Sequence, residues 1–231
     1  MNFCEKEWTI MQLSANTLTI LKNFSEINSN LTIQPGNALK TVHQPPTIYA
    51  TATVEEVFDK TFGIYDLKNF LATLAMFQDP ELTFNDNYVD IIDKSDNSIR
   101  TKYWNMDISV LTKVPALKAF PEPVTTFKIT NLNFKRIQRA CATLKCPDVV
   151  FEGKAGAIQA IVCDLSNSSQ NNNSFTAVLQ EEYSGPEFSV HLKQEKLMII
   201  DGDYNCDLIA NKIIKLSHTE RAVEYVITLD A

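Results

Sequence analysis

Glycine is scarce, with six in 231 residues, and no Walker loop or GxGxxG run is present. That removes the two commonest backbone cradles for nucleotide phosphates. Long apolar runs are missing too: nothing approaches the ~18 consecutive apolar residues of a membrane-spanning helix. The first residues lack the basic stretch and apolar core of a secretory signal. The three histidines, His43, His191 and His218, are scattered, and neither HExxH nor GxSxG occurs. Five cysteines, Cys4, Cys141, Cys146, Cys163 and Cys206, form no CxxC pair. An odd, dispersed set without a signal reads as reduced thiols, and no histidine stands near Cys141 and Cys146 to complete a zinc set. Asp201-Gly202-Asp203 looks like the start of a calcium loop, but the later ligands are absent and a tight turn is the better reading. No catalytic residue, metal or cofactor is therefore predicted. An enzyme assembled from distant positions has only the histidines in its favour.

Positive charge is also short. Twenty-one Lys and Arg face 28 Asp and Glu, a net charge of -7. A protein that coats nucleic acid by bulk attraction is basic. This one either ignores nucleic acid or meets it with a single surface. Against these shortages stands ample core material, 45% hydrophobic residues, enough for one large domain or two of ordinary size.

The pattern of that material is duplicated. Ser14 to Ser25 predicts a helix, with Ser14 as N-cap and Leu18, Leu21 and Phe24 at helical spacing. Extended segments follow at Leu31–Ile33, Leu39–Val42 and Ile48–Val54, then a short helix from about Asp66 to Phe77 and strands at Glu81–Phe84, Tyr88–Asp93 and Ile99–Trp104. Pro115, Pro121 and Pro123 mark a linker. Beyond it the order repeats: a helix at Asn131–Lys145, strands at Val149–Phe151, Ala157–Asp164 and Phe175–Gln180, a short helix at about Leu192–Ile199, and strands at Tyr204–Ile209, Lys212–Leu216 and Ala222–Leu229. The prediction is an α+β chain of two similar domains, residues 11–110 and 125–231, joined by a linker at 111–124, with helices on one face of antiparallel sheets.

One stretch breaks the acidic balance. Lys128 to Lys145 holds Lys128, Lys135, Arg136, Arg139 and Lys145 and no acid. At 100° per residue, Lys135 and Arg139 fall opposite the apolar stripe of Phe134, Ile137, Cys141 and Leu144, with Arg136 on the flank. Lys22, Lys68, and the pair Lys193 and Lys196 place cations on the other predicted helices. A solvated helix face explains single lysines equally well. For the Lys135, Arg136 and Arg139 cluster, a phosphate-facing role has equal standing. No aromatics interleave there to stack on bases, so backbone contact without sequence readout is the natural form.

Met11-Gln12-Leu13-Ser14-Ala15-Asn16-Thr17, Leu21-Lys22-Asn23-Phe24, Ile27-Asn28-Ser29 and Ile64-Tyr65-Asp66-Leu67-Lys68-Asn69-Phe70-Leu71 resemble the sliding clamps of T-even-type bacteriophages. The likeness runs over residues 11–104 and rests on element order beyond them. It implies a DNA-clamp fold and a homotrimeric ring in the host cytoplasm of an infected bacterium. Double-stranded DNA passes through the hole, helices line it, and sheets form the outside. The implied partners are the replicative DNA polymerase, an ATP-dependent clamp loader and late transcription machinery. No active site, cofactor or membrane is involved.

Carried onto this chain, the resemblance implies a DNA-facing surface of Lys22, Lys68, Lys135, Arg136, Arg139, Lys193 and Lys196. It implies a head-to-tail subunit interface of Ile99, Arg100, Lys102 and Trp104 against Phe175, Val178, Glu181 and Glu182 of a neighbouring copy. Arg100 and Lys102 as ordinary edge-strand guards is an equal reading. A partner-peptide pocket is implied at Leu39, Val42, Pro121 and Val124. Such clamps begin near the position of Met11, so residues 1–10 are expected to be a non-native or disordered extension. Lys6-Glu7 can be encoded as AAGGAG, a ribosome-binding sequence ahead of the Met11 codon. The competing reading is a phage structural or scaffold protein with duplicated α+β domains.

Overall fold

The computed structural model describes residues 10–154, 156–167 and 173–230. The expected extension therefore lies outside the described residues, Ile10 excepted. The chain divides into two units, Met1–Val42 with Thr51–Pro115, and His43–Ala50 with Ala116–Ala231.

In unit 1 the elements are β1 (Ile10–Met11), α1 (Ala15–Ile27), β2 (Leu31–Ile33), β3 (Gly36–Val42), β4 (Ile48–Phe58, whose first three residues fall in unit 2), β5 (Phe62–Ile64), α2 (Leu67–Leu74), β6 (Pro80–Phe84), β7 (Tyr88–Asp93) and β8 (Asp96–Trp104). Antiparallel sheet order is β1-β6-β7-β8, β2 pairs with β5, and β3 lies beside β4. Ser14 accepts from the Thr17 N–H to start α1. The Glu56 carboxylate accepts from both the Ser14 N–H and the Thr17 hydroxyl. Burial tends to raise the Glu56 pKa, but these donors outweigh it and hold the carboxyl below its usual range. Ile20, Leu21, Phe24 and Ile27 bury one face of α1, and Leu67, Phe70 and Leu74 bury one face of α2. Each such side chain contributes about 1.5–3 kcal/mol by leaving water. Tyr103 fixes α2 to β8: its ring meets Phe70 edge-on at 5.0 Å and its hydroxyl donates to the Asp66 carbonyl at 3.0 Å.

Unit 2 contains β9 (Thr125–Ile129), α3 (Asn131–Leu144), β10 (Asp148–Lys154), β11 (Ala157–Cys163), β12 (Phe175–Glu181), β13 (Phe188–Lys193), β14 (Tyr204–Ile209), β15 (Ile213–His218) and β16 (Val223–Thr228). Its antiparallel ladders run β12-β11-β10-β13 and β9-β14-β15-β16. Phe134, Ile137, Ala140 and Cys141 are the buried face of α3. The Thr130 hydroxyl caps Asn133, and Asp203 accepts from the Asn131 N–H at 2.7 Å, setting a carboxylate at the positive helix end. The expected turn at Asp201-Gly202-Asp203 is a bend. A Cβ on Gly202 would stand 2.1 Å from His218 Nε2, and its φ of +158° also disfavours a side chain.

The helix expected at Leu192–Ile199 does not form. Phe188, Val190 and Leu192 are buried in alternation with Ser189, His191 and Lys193, which is strand periodicity, and only Gln194–Lys196 makes a single 3-10 turn. Lys196 is 8% exposed and donates to Asp230 at 2.6 Å and to the Thr228 carbonyl at 3.0 Å. Replacing Lys196 by Met should destabilise unit 2 by about 1–2 kcal/mol, because Asp230 keeps its charge and loses its partner. Urea titration of the variant measures this. Burial tends to raise the Asp230 pKa, but the Lys196 hydrogen bond, the Lys193 N–H and nearby positive charge together lower it. In the turn between β7 and β8, the Ser95 hydroxyl and the Gln78 and Ser95 N–H groups hold Asp93 at about 2. A depressed folded pKa gives stability that is complete above the ordinary 3.8 and lost as pH falls through about 2. Unfolding midpoints should therefore drop across that window, and Asp93→Asn should flatten the drop.

Candidate nucleic-acid interface

The exposed faces of the three helices carry the cations the sequence pointed to, and they differ in how free those cations are. Arg136 and Arg139 on α3 are exposed and make no ion pair among the described residues. Lys135, on the same face, reaches Asp201 at 3.2 Å. In unit 1, Lys22 of α1 is exposed, and Lys68 of α2 is 3.0 Å from Glu26 of α1. Such exposed pairs are worth ~0–1 kcal/mol each, so both lysines can exchange their acid for another anion. Glu26 was not singled out from the sequence, and Asp201 was noted only as part of a turn. Glu26 lies four residues after Lys22 on α1, but its partner sits on the next helix.

Two expected DNA-facing residues are corrected. Lys193 is the last residue of β13 and pairs at 2.7 Å with Asp148, which is fully buried and whose second oxygen accepts from the Leu165 N–H. Lys196 is buried against Asp230, as described above. Without a helix, these two lysines share no exposed cationic face, and burial consumes the charge of one of them.

The two strands expected at subunit contacts are both edge strands of their sheets, β8 in unit 1 and β12 in unit 2. On β8, Ile99 is 49% exposed and Trp104 66%, and on β12, Val178 is 51% exposed. Phe175 is half-buried, and Glu181 and Glu182 are exposed. Arg100 and Lys102 are turned onto their own sheet: Arg100 lies 4.0 Å from Asp90, and the Lys102 ammonium sits 4.4 Å from the Tyr88 ring centre. Of the expected peptide pocket, Leu39 and Val42 are 0% and 2% exposed. They are core residues of unit 1 and offer no surface to a peptide. Pro121 and Val124 are exposed.

No group of three or more His, Cys, Asp or Glu side chains able to hold a metal occurs among the described residues. Burial raises the Cys141 thiol to about 11 and drives Cys206 higher still, so both thiols are protonated and poor nucleophiles. No helix among the described residues is long and apolar enough to cross a membrane.

Two similar α+β units, one with two helices and the other with one against antiparallel sheet, make a DNA-clamp fold. The chain superposes on the A. fulgidus PCNA solved with the C-terminal region of FEN-1, with a TM-score of 0.71 at 15% identity, covering 97% of this chain and 98% of that one. In sequence, residues 14–112 match the family described as DNA polymerase processivity factor. The sliding clamp of Vibrio phage KVP40 is 26% identical over 201 residues, 86% of this chain and 90% of the relative. That of Escherichia phage RB69 is 25% identical over 226 residues, 96% and 97% of the two chains. The likeness read from Met11–Thr17 and Ile64–Leu71 is thus borne out. Sequence and fold agree on a sliding clamp of the T-even phage kind, a polymerase processivity factor and not an enzyme.

Proposed function

We propose that this chain closes into a head-to-tail homotrimeric ring around double-stranded DNA in the cytoplasm of a phage-infected bacterium. There it tethers the replicative polymerase, is loaded by an ATP-dependent loader, and serves late transcription machinery as well. The observation that carries this reading is the pairing of two features. The free cations stand on α1 and α3, while the open strand edges, β8 and β12, belong to the sheets. A heterologous contact between unlike edges closes into a ring when its rotation allows. Enclosure then supplies retention, and a few exchangeable phosphate contacts supply guidance without much friction. Residue by residue, Lys22, Arg136 and Arg139 are the primary DNA contacts, with Lys68 and Lys135 held in exchangeable pairs. The net charge of -7 keeps duplex DNA away from the remaining surface.

The test is topological. After loading with loader and ATP, the protein should stay on nicked circular DNA and be lost when the circle is cut. Electron microscopy should show a three-fold ring with a central hole. Equal retention on circular and linear DNA, or an assembly without a hole, would sink the reading in favour of a structural or scaffold protein.

A further inference from the structure

Each unit places one acid among the cations of its helices. In unit 1, the Glu26 carboxylate meets the Lys68 ammonium of α2 with both oxygens, at 3.0 and 3.1 Å. It also stands one turn along α1 from Lys22, on the same face. In unit 2, Asp201 reaches Lys135 of α3 at 3.2 Å. All four paired side chains are more than half exposed, so neither pair adds much to stability.

The helices themselves gain nothing from the first pair. Glu26 lies in the last turn of α1, where free carbonyls carry partial negative charge, and Lys68 is the second residue of α2, where free N–H groups carry partial positive charge. Both charges oppose their helix dipoles, and exchanging them would keep the pair while suiting each helix better. Asp201 is held in place from below. His218 Nδ1 accepts from the Glu220 and Arg221 N–H groups at 3.1 and 3.2 Å, so Nε2 carries the proton and donates to the Asp201 carbonyl at 3.3 Å. Two residues on, the Asp203 carboxylate accepts from the Asn131 N–H at 2.7 Å, and its carbonyl accepts from the Thr219 N–H at 2.9 Å. The bend therefore presents the Asp201 carboxylate to the exposed face of α3.

Both paired cations are lysines, whereas the two left unpaired on α3 are arginines. A guanidinium grips a carboxylate with two parallel bonds, but an ammonium is a point charge that changes partner readily. We infer that Glu26 and Asp201 are tethered counter-ions that weaken and smooth the grip on duplex DNA. When Lys68 or Lys135 leaves a phosphate, the neighbouring carboxylate, at high effective concentration, takes it back. The ring then steps from one phosphate to the next without baring a charge. This inference rests on the reading that α1, α2 and α3 face the duplex, and adds acids that set how loosely they do so.

The test is a gain in binding. A short fluorescein-labelled duplex is titrated with the full chain and read by anisotropy over a range of salt. Glu26→Gln/Asp201→Asn should bind at least fivefold tighter at low salt, with no loss in thermal melt. Its salt dependence should steepen, by about 0.9 in the log–log slope for each phosphate newly neutralised. Variant rings loaded on nicked circles should diffuse more slowly by single-molecule tracking. Glu55→Gln/Glu187→Gln makes the same change in net charge at exposed positions off the helices, and should leave affinity near the native value.

Unchanged or weaker binding by Glu26→Gln/Asp201→Asn, or an equal gain in the Glu55/Glu187 control, overturns the inference. So does an equal gain when Lys68 and Lys135 are already glutamine, because the acids would then act by plain repulsion and not by holding lysines. Reversal of Arg136 and Arg139 separates the two layers. If that reversal weakens binding while neutralising the acids does not strengthen it, only the counter-ion role falls. If neither change alters binding, the helices do not face DNA and both readings fall together.

Discussion

Reversal of Arg136 and Arg139 together to glutamate is expected to cut duplex affinity at least tenfold at low salt and to abolish processive synthesis. Both guanidinium groups stand exposed on α3 without an ion-pair partner among the described residues. Each is therefore available to a phosphate at no internal cost. Each neutralised phosphate contributes a slope of about 0.9 in log affinity against log salt. Two lost contacts per protomer should flatten that dependence as well as weaken binding, and the reversed charges add repulsion. Lys68→Gln serves as the internal comparison. Its ammonium already has Glu26 at 3.0 Å, so its loss should matter less than the loss of either arginine. Oligomer mass should be unaltered in both variants, since none of the three side chains belongs to β8 or β12. If the double reversal still supports polymerase stimulation on primed DNA, α3 does not face the duplex.

Gly63→Ala is the most damaging single methyl group we expect in unit 1. A Cβ at that position would stand 2.3 Å from the Met106 carbonyl oxygen and 2.9 Å from Leu111 Cδ1. The nearer atom is backbone and cannot rotate away, so the segment from Asn105 to Leu111 must move off β5. That movement would break the paired hydrogen bonds of Gly63 with Asn105 and Met106 and lift Leu111 from its buried seat. Overpacking of this kind costs about 2–3 kcal/mol, or roughly 8–20 °C in the melting temperature of a unit of this size. Calorimetry would read it directly. An unchanged melt would show that the segment yields more easily than its contacts suggest.

Most of the scaffold was legible because it obeys short-range rules. The Ser14 cap and the stripes Leu21, Phe24 and Phe134, Ile137, Cys141 announce α1 and α3 from within a dozen residues each. The outward placement of Arg136 and Arg139 follows from the same wheel. Failure came where a local pattern was ambiguous or a partner was remote. Leu192, Lys193 and Lys196 have helical spacing, but they overlap the period-two run that begins at Phe188, and the strand wins because its alternate residues complete the β10 ladder. That Lys196 is buried depends on Asp230, far along the chain, and nothing near Lys196 signals it. Leu39 and Val42 were read as pocket surface, yet strand alternation already marked Leu39 as core and Lys40 as the outward residue.

The open edges of β8 and β12 have a consequence for dosage. In the proposed ring a protomer offers one joint in each unit and behaves as a link, and links assemble by mass action, so closed species should appear only above a threshold concentration. Below it, exposed Ile99, Trp104 and Val178 are left uncovered. A chain blocked at one edge would still engage through the other and so end an assembly it had joined. A minority of such chains would poison the majority, and damage to either edge would behave as a dominant trait.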